Sequence, residues 1–135
     1  MLVSQLGRDY LLLTNSFEGL KKDILYISEE YDSVCMFGVD KSLDDAVRIE
    51  RCAMLHSDRI SSNYDIQTLS RKMVQQKIHH SISDMPTQYL CNAAYYHMLC
   101  RNKNTVFIHI PSVKGWNDTL TDRLLMLFRK MAIHT

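Results

Sequence analysis

Short apolar runs alternate along this chain with stretches whose apolar positions recur every three to four residues. The first pattern reads as buried strand and the second as amphipathic helix. Asn15 and Glu18 have the N-x-x-E spacing of a capping box, and a stripe of Phe17, Leu20, Ile24, Ile27 and Tyr31 follows. A helix is therefore expected to open near Asn15. Ser33 to Phe37 is a short apolar run ending at Gly38, and Ala46 to Leu55 reads as another strand. Within the latter, Val47 and Ile49 alternate with Arg48 and Glu50, which gives the strand one polar face. Helical spacing returns from Ile66 to His79, and Leu90 to Cys100 holds good helix formers without a breaker. Ser81 to Ser83 reads as a brief strand, and Thr105 to Ile110 is the clearest strand, stopped by Pro111. Asn117 or Asp118 would cap a last helix carrying Leu120, Leu124, Leu127 and Met131. Four strands and four helices in alternation predict an α/β layer fold with a mainly parallel sheet.

Composition narrows the class. The 135 residues, 46% of them hydrophobic, suit a single domain over 1–135 with one core. Four glycines and two prolines are too few for a disordered or loop-rich chain. Sixteen basic residues against fifteen acidic ones leave +1, without the basic stripe of a nucleic-acid binder. No stretch approaches the roughly 18 to 20 apolar residues needed to cross a bilayer. The N-terminus is interrupted by Arg8 and Asp9 and lacks the apolar core of a secretory signal. A cytoplasmic setting is expected, with Cys35, Cys52, Cys91 and Cys100 as free thiols. They form no CxxC pair, and His97 with Cys100 lacks further spaced ligands, so neither a metal nor another cofactor is expected.

Three residues stand out chemically. Cys91 sits where an extended segment gives way to a helix, whose first N–H groups favour a thiolate and can hold an oxyanion. Its plainer role is that of a small buried hydrophobe. Cys100, half a turn out of phase on the same helix, is expected in the core. His109 lies near the C-terminal end of an apolar strand, where ligands gather in open α/β sheets and where an imidazole needs partners. Glu50, between Arg48 and Arg51, is either a solvated edge carboxylate or the group that orients an imidazole.

YLCN at Tyr89 to Asn92, FIHIP at Phe107 to Pro111 and IERCAML at Ile49 to Leu55, in that family's order, resemble the cysteine pyroglutamyl peptidases, or pyrrolidone-carboxylate peptidases. LVSQL at Leu2 to Leu6 looks like that family's second strand, SVCMFG like its next, and DRISSN at Asp58 to Asn63 is similar to its ARIPDN. The resemblance implies a three-layer sandwich and a triad of Cys91 as nucleophile, His109 as base and Glu50 as orienting acid. It adds Arg59, Asn92 and Tyr89 as oxyanion or substrate-binding candidates. It implies removal of N-terminal pyroglutamate from a small peptide or amide substrate through a thioester. Two features of the family are missing: its first strand with the Gly- and Phe-rich loop that encloses the lactam ring, and a Gly-Gly segment, replaced after Gly38 by VDKSLDD. The triad therefore carries the chemistry, and the substrate pocket is expected to differ. The other readings are a cysteine amidase or acyltransferase on another small substrate, and a non-catalytic truncated relative serving as an interaction module. An open sheet position would suit a homo-oligomer or a partner chain.

Overall fold

The computed structural model describes residues 16–25, 31–86, 90–115 and 118–133. Along them run α1 (Phe17–Leu25), β1 (Val34–Val39), β2 (Val47–Glu50), β3 (Cys52–Leu55), β4 (Asp58–Ser61), α2 (Ile66–Gln75), β5 (His80–Ser83), α3 (Leu90–Arg101), β6 (Thr105–Ile110) and α4 (Asp118–Ile133). The readings at Leu2 to Leu6, Asn15, Ile27 and Tyr89 lie outside the described residues.

Local chemistry sets several of these ends. Ser16 caps α1: its hydroxyl accepts from the Gly19 amide at 3.1 Å, satisfying a donor that the first turn leaves open. Asp65 does the same for α2 through the Thr68 amide at 3.0 Å. That helix ends at Gln75 rather than His79, because Lys77 adopts φ 58° and Ile78 N–H turns back onto Met73 O at 2.8 Å. The single strand expected over Ala46 to Leu55 is two. It breaks at Arg51, and β3 folds back on β4 through a tight turn at His56 and Ser57, both at positive φ.

The main sheet has the order β1-β6-β2-β5. β1 pairs parallel with β6 and β2 parallel with β5, while β2 runs antiparallel to β6. The sheet is thus mixed and mostly parallel, flanked by helices on both faces. Strand alternation divides the apolar side chains between two cores. Val47, Ile49, Val106 and Ile108 pack with α2 and α4 through residues such as Leu69, Met73, Leu124 and Leu127. Met36 and Phe107 point to the other face and pack with α1 and α3 through Leu20, Ile24, Tyr95, Met98 and Leu99. Each fully buried side chain of this kind contributes about 1.5–3 kcal/mol relative to exposure. Cys100 departs from expectation. Nine residues on from Cys91, it falls on the opposite side of α3, and that side is exposed rather than core. Among the described residues, no helix is long and apolar enough to cross a membrane, and β1 forms one edge of the main sheet.

Candidate active site

The two-residue period of a strand decides which groups meet. With Val47 and Ile49 turned to one core, Arg48 and Glu50 face α3; with Val106 and Ile108 turned the same way, Phe107 and His109 also face α3. The antiparallel register sets Arg48 opposite His109 and Glu50 opposite Phe107. Gly38 of β1 lies beside His109 on the other flank. Cys91, second residue of α3, comes down onto this patch from above. The polar face of the VRIE strand is therefore buried against a helix, not turned to solvent: Glu50 is 4% exposed and His109 5%.

Glu50 Oε1 accepts from His109 Nδ1 at 2.9 Å. This fixes the proton on Nδ1 and leaves Nε2 as the ring atom for Cys91, which lines the same recess. Desolvation opposes charging of the buried ring. The hydrogen bonds and charges of Cys91 and Glu50 outweigh it and lift His109 from 6.5 to about 9. Tyr95 on α3 donates to the Glu50 main-chain oxygen at 2.7 Å and ties β2 to the helix. Glu50, Cys91 and His109 line, with Cys52, Asn92, Tyr95 and Phe107, a recess of about 10 Å³. That is room for about one water.

Asn92 and Arg59 are held by backbone partners. Asn92, expected among the oxyanion or substrate-binding groups, is engaged by the backbone of β3. Its Oδ1 accepts from Met54 N at 2.9 Å and its Nδ2 donates to Met54 O at 2.6 Å. A buried side-chain amide held at both ends by one backbone residue fixes α3 against β3 and commits its oxygen and one of its two N–H donors to structure. Arg59 does not line the recess. It lies exposed on β4 and donates to the Asp84 carbonyl. The oxyanion donors at hand are the backbone N–H groups that open α3, which point away from the helix without an intrahelical partner. Among the described residues no cluster of three His, Cys, Asp or Glu could hold a metal.

Arg48, Asp40 and Gly38 are participants that motif reading passed over. Arg48 Nε donates to Glu50 Oε1 at 2.6 Å, and its Nη2 donates to Asp40 Oδ2 at 2.7 Å. The alternation of VRIE carried the signal for Arg48, two positions from Glu50 and hence on its face.

The shift of His109 has a measurable consequence. Its folded value lies above its unfolded one, so its contribution to stability is complete below about pH 6.5 and is lost as pH rises through about 9. Urea midpoints are expected to fall across that window, and the fall should disappear in His109→Gln. A native-chain midpoint that is flat there would contradict the assignment of the charged imidazole.

Comparison with solved structures places this fold. The pyrrolidone carboxyl peptidase from Thermococcus litoralis superposes with a TM-score of 0.77 and 13% identity, over 96% of this chain and 82% of that one. The A199P mutant pyrrolidone carboxyl peptidase from Pyrococcus furiosus gives 0.78 and 16% identity, over 98% and 88%. The pyrrolidone carboxyl peptidase from Fervidobacterium islandicum AW-1 gives 0.71 and 17% identity, over 98% and 88%. No protein-family profile matches the sequence, and no curated protein does. The chain has the three-layer fold of pyrrolidone carboxyl peptidases at a sequence distance where the likeness speaks for the fold.

Proposed function

We propose that this chain is a cysteine hydrolase of the pyroglutamyl-peptidase type, cleaving the amide bond that follows a small N-terminal acyl group such as pyroglutamate. One observation carries the reading: a cysteine at a helix start lines one small recess with a buried histidine whose Nδ1 meets a buried glutamate at 2.9 Å. The shared fold supports it.

In this reading the Cys91 thiolate attacks the substrate carbonyl while His109 is imidazolium. The tetrahedral oxyanion forms against the N–H groups that open α3. His109 then gives its Nε2 proton to the leaving amine, and the intermediate collapses to a thioester on Cys91. A water in the recess, deprotonated by the now neutral His109, attacks the thioester and releases the acid. Glu50 keeps the ring in the tautomer with Nδ1–H and stabilises its charged form.

The recess bears on the substrate. A five-membered lactam needs an apolar slot with partners for its amide, and missing partners cost several kcal/mol. Room for about one water is too little for the ring, so turnover of a pyroglutamyl-coumarin amide is expected to be slow. Iodoacetamide at neutral pH is nevertheless expected to modify Cys91 well ahead of the exposed Cys35 and Cys100. Efficient hydrolysis abolished in Cys91→Ala would assign pyroglutamate as the substrate and remove the specificity argument. Alkylation of Cys91 no faster than Cys35 would overturn the hydrolase reading.

A further inference from the structure

The segment that follows Gly38 returns a charge to the site. Asp40 caps its own turn: its Oδ1 accepts from the Ser42 amide at 2.9 Å and from the Ser42 hydroxyl at 2.7 Å. Its Oδ2 is left for Arg48, whose Nη2 it meets at 2.7 Å. Arg48 then reaches Glu50 Oε1 through Nε at 2.6 Å, the same oxygen that accepts from His109. Arg48 Nη2 stands 3.4 Å from His109 Nδ1. With Nδ1–H donating to Glu50, that approach sets two donors, and in the charged state two cations, side by side. Asp40, Arg48, Glu50, His109 and Cys91 thus form one chain of alternating charge running from the β1–β2 loop to the thiol.

We propose that Arg48, anchored by Asp40, is a positioning residue that fixes the Glu50 carboxylate toward His109 and limits how strongly that carboxylate holds the imidazolium. The proposal rests on the Cys91–His109–Glu50 reading and assigns a role to groups outside it. Two donors on Oε1 leave the carboxylate one rotamer, because turning it breaks both bonds at once. The positive guanidinium draws on the same electron density as the ring and repels its positive charge. Asp40 offsets part of that repulsion from the far side, and its carboxyl is held down at about 2 by Ser42 first and Arg48 after, so it is charged throughout the working range. Among the described residues, the other ionisable groups lining the recess with His109 are Cys91 and Tyr95 from α3 and Cys52 from β3, and they stay constant between the variants below. Arg51 is turned away, paired with Asp84 at 2.7 Å.

Three variants separate this role from simple support of the strand, read by NMR titration of the His109 ring. Arg48→Met removes a cation beside the imidazolium and is expected to raise the His109 midpoint by on the order of one pH unit. Asp40→Asn removes the offsetting anion and is expected to lower it. Arg48→Lys keeps the charge and is expected to stay near the native value. A merely supporting role would loosen Glu50 in both of the first two variants, and both midpoints would fall together. Shifts of the same sign, or none, would overturn the proposal. If Arg48→Met does not fold, Arg48→Gln, which removes the charge and keeps a polar head, takes its place: an upward shift of the His109 midpoint supports the proposal, while no shift or a downward one overturns it. The titration needs no turnover. Failure of the hydrolase reading would appear separately, as an unreactive Cys91 in the native chain.

Discussion

Replacing Gly38 with alanine is expected to slow alkylation of Cys91, and any turnover that depends on it, by about 10²-fold while leaving the chain folded. An added methyl at this position would lie 2.7 Å from Cys91 Sγ and 2.6 Å from Cζ of Phe107. Both distances are well inside van der Waals contact. The Phe107 ring has little freedom to withdraw, since it packs on Tyr95 with centroids 5.6 Å apart and on His109 at 4.8 Å. The sulfur is the lighter group to displace, and displacing it carries it off the imidazole. Overpacking of this sort costs about 1–3 kcal/mol, offset in part because alanine loses less backbone entropy than glycine on folding. The result to look for is therefore a large loss of thiol reactivity with a small change in melting temperature. Native-like alkylation kinetics in Gly38→Ala would show that the sulfur does not depend on that gap.

The second large effect is expected at Glu50. Glu50→Gln keeps the shape and removes the charge that His109 and Arg48 share. Loss of the orienting acid in such a triad lowers turnover by on the order of 10⁴-fold, because the ring no longer holds the productive tautomer. Here the amide can also present its NH₂ to Nδ1, which would reverse the tautomer and leave Nε2 protonated against the thiol. The His109 midpoint, raised to about 9 by Cys91 and then by Glu50, should fall toward 6.5. Arg48 keeps only Asp40, and the loss of charge-assisted bonds at a nearly buried position should cost about 2–3 kcal/mol. Turnover and His109 titration unchanged in Glu50→Gln would remove the carboxylate from the site altogether.

Much of this arrangement was legible in the residues. Apolar runs and helical stripes marked the main-sheet strands and the helices, because burial imposes period two on a strand and 3.6 on a helix whatever surrounds them. TVFIHI and the Ile66 to Met73 stripe are found where the pattern put them. The three quoted motifs pointed to Cys91, His109 and Glu50, which the fold brings into one buried patch. The end of α2 and the break at Arg51 were less legible. The first depends on a backbone turn at Lys77, a residue with no glycine signature, and the second on a change of partners, since Arg51 donates to Ser83 O of the main sheet and accepts from Ser62 N of the hairpin.

What the sequence determined by itself was therefore periodic or covalent in character: which residues alternate, where helices run, and which side chains have chemistry to offer. Three things were decided only when the elements packed. Arg48 and Glu50 alternated with apolar neighbours as a solvent-facing row would, and whether that row met water or α3 depended on where the helix lay. Asn92 carried the right donors for an oxyanion, but the edge of β3 came within reach of both ends of its amide. Arg59 matched a motif, yet β4 holds it at the surface on the Asp84 carbonyl. The physical reason is the same in each case. A hydrogen bond or an ion pair between residues far apart in the chain depends on distances of a few tenths of an ångström, and only the packed layers set those distances.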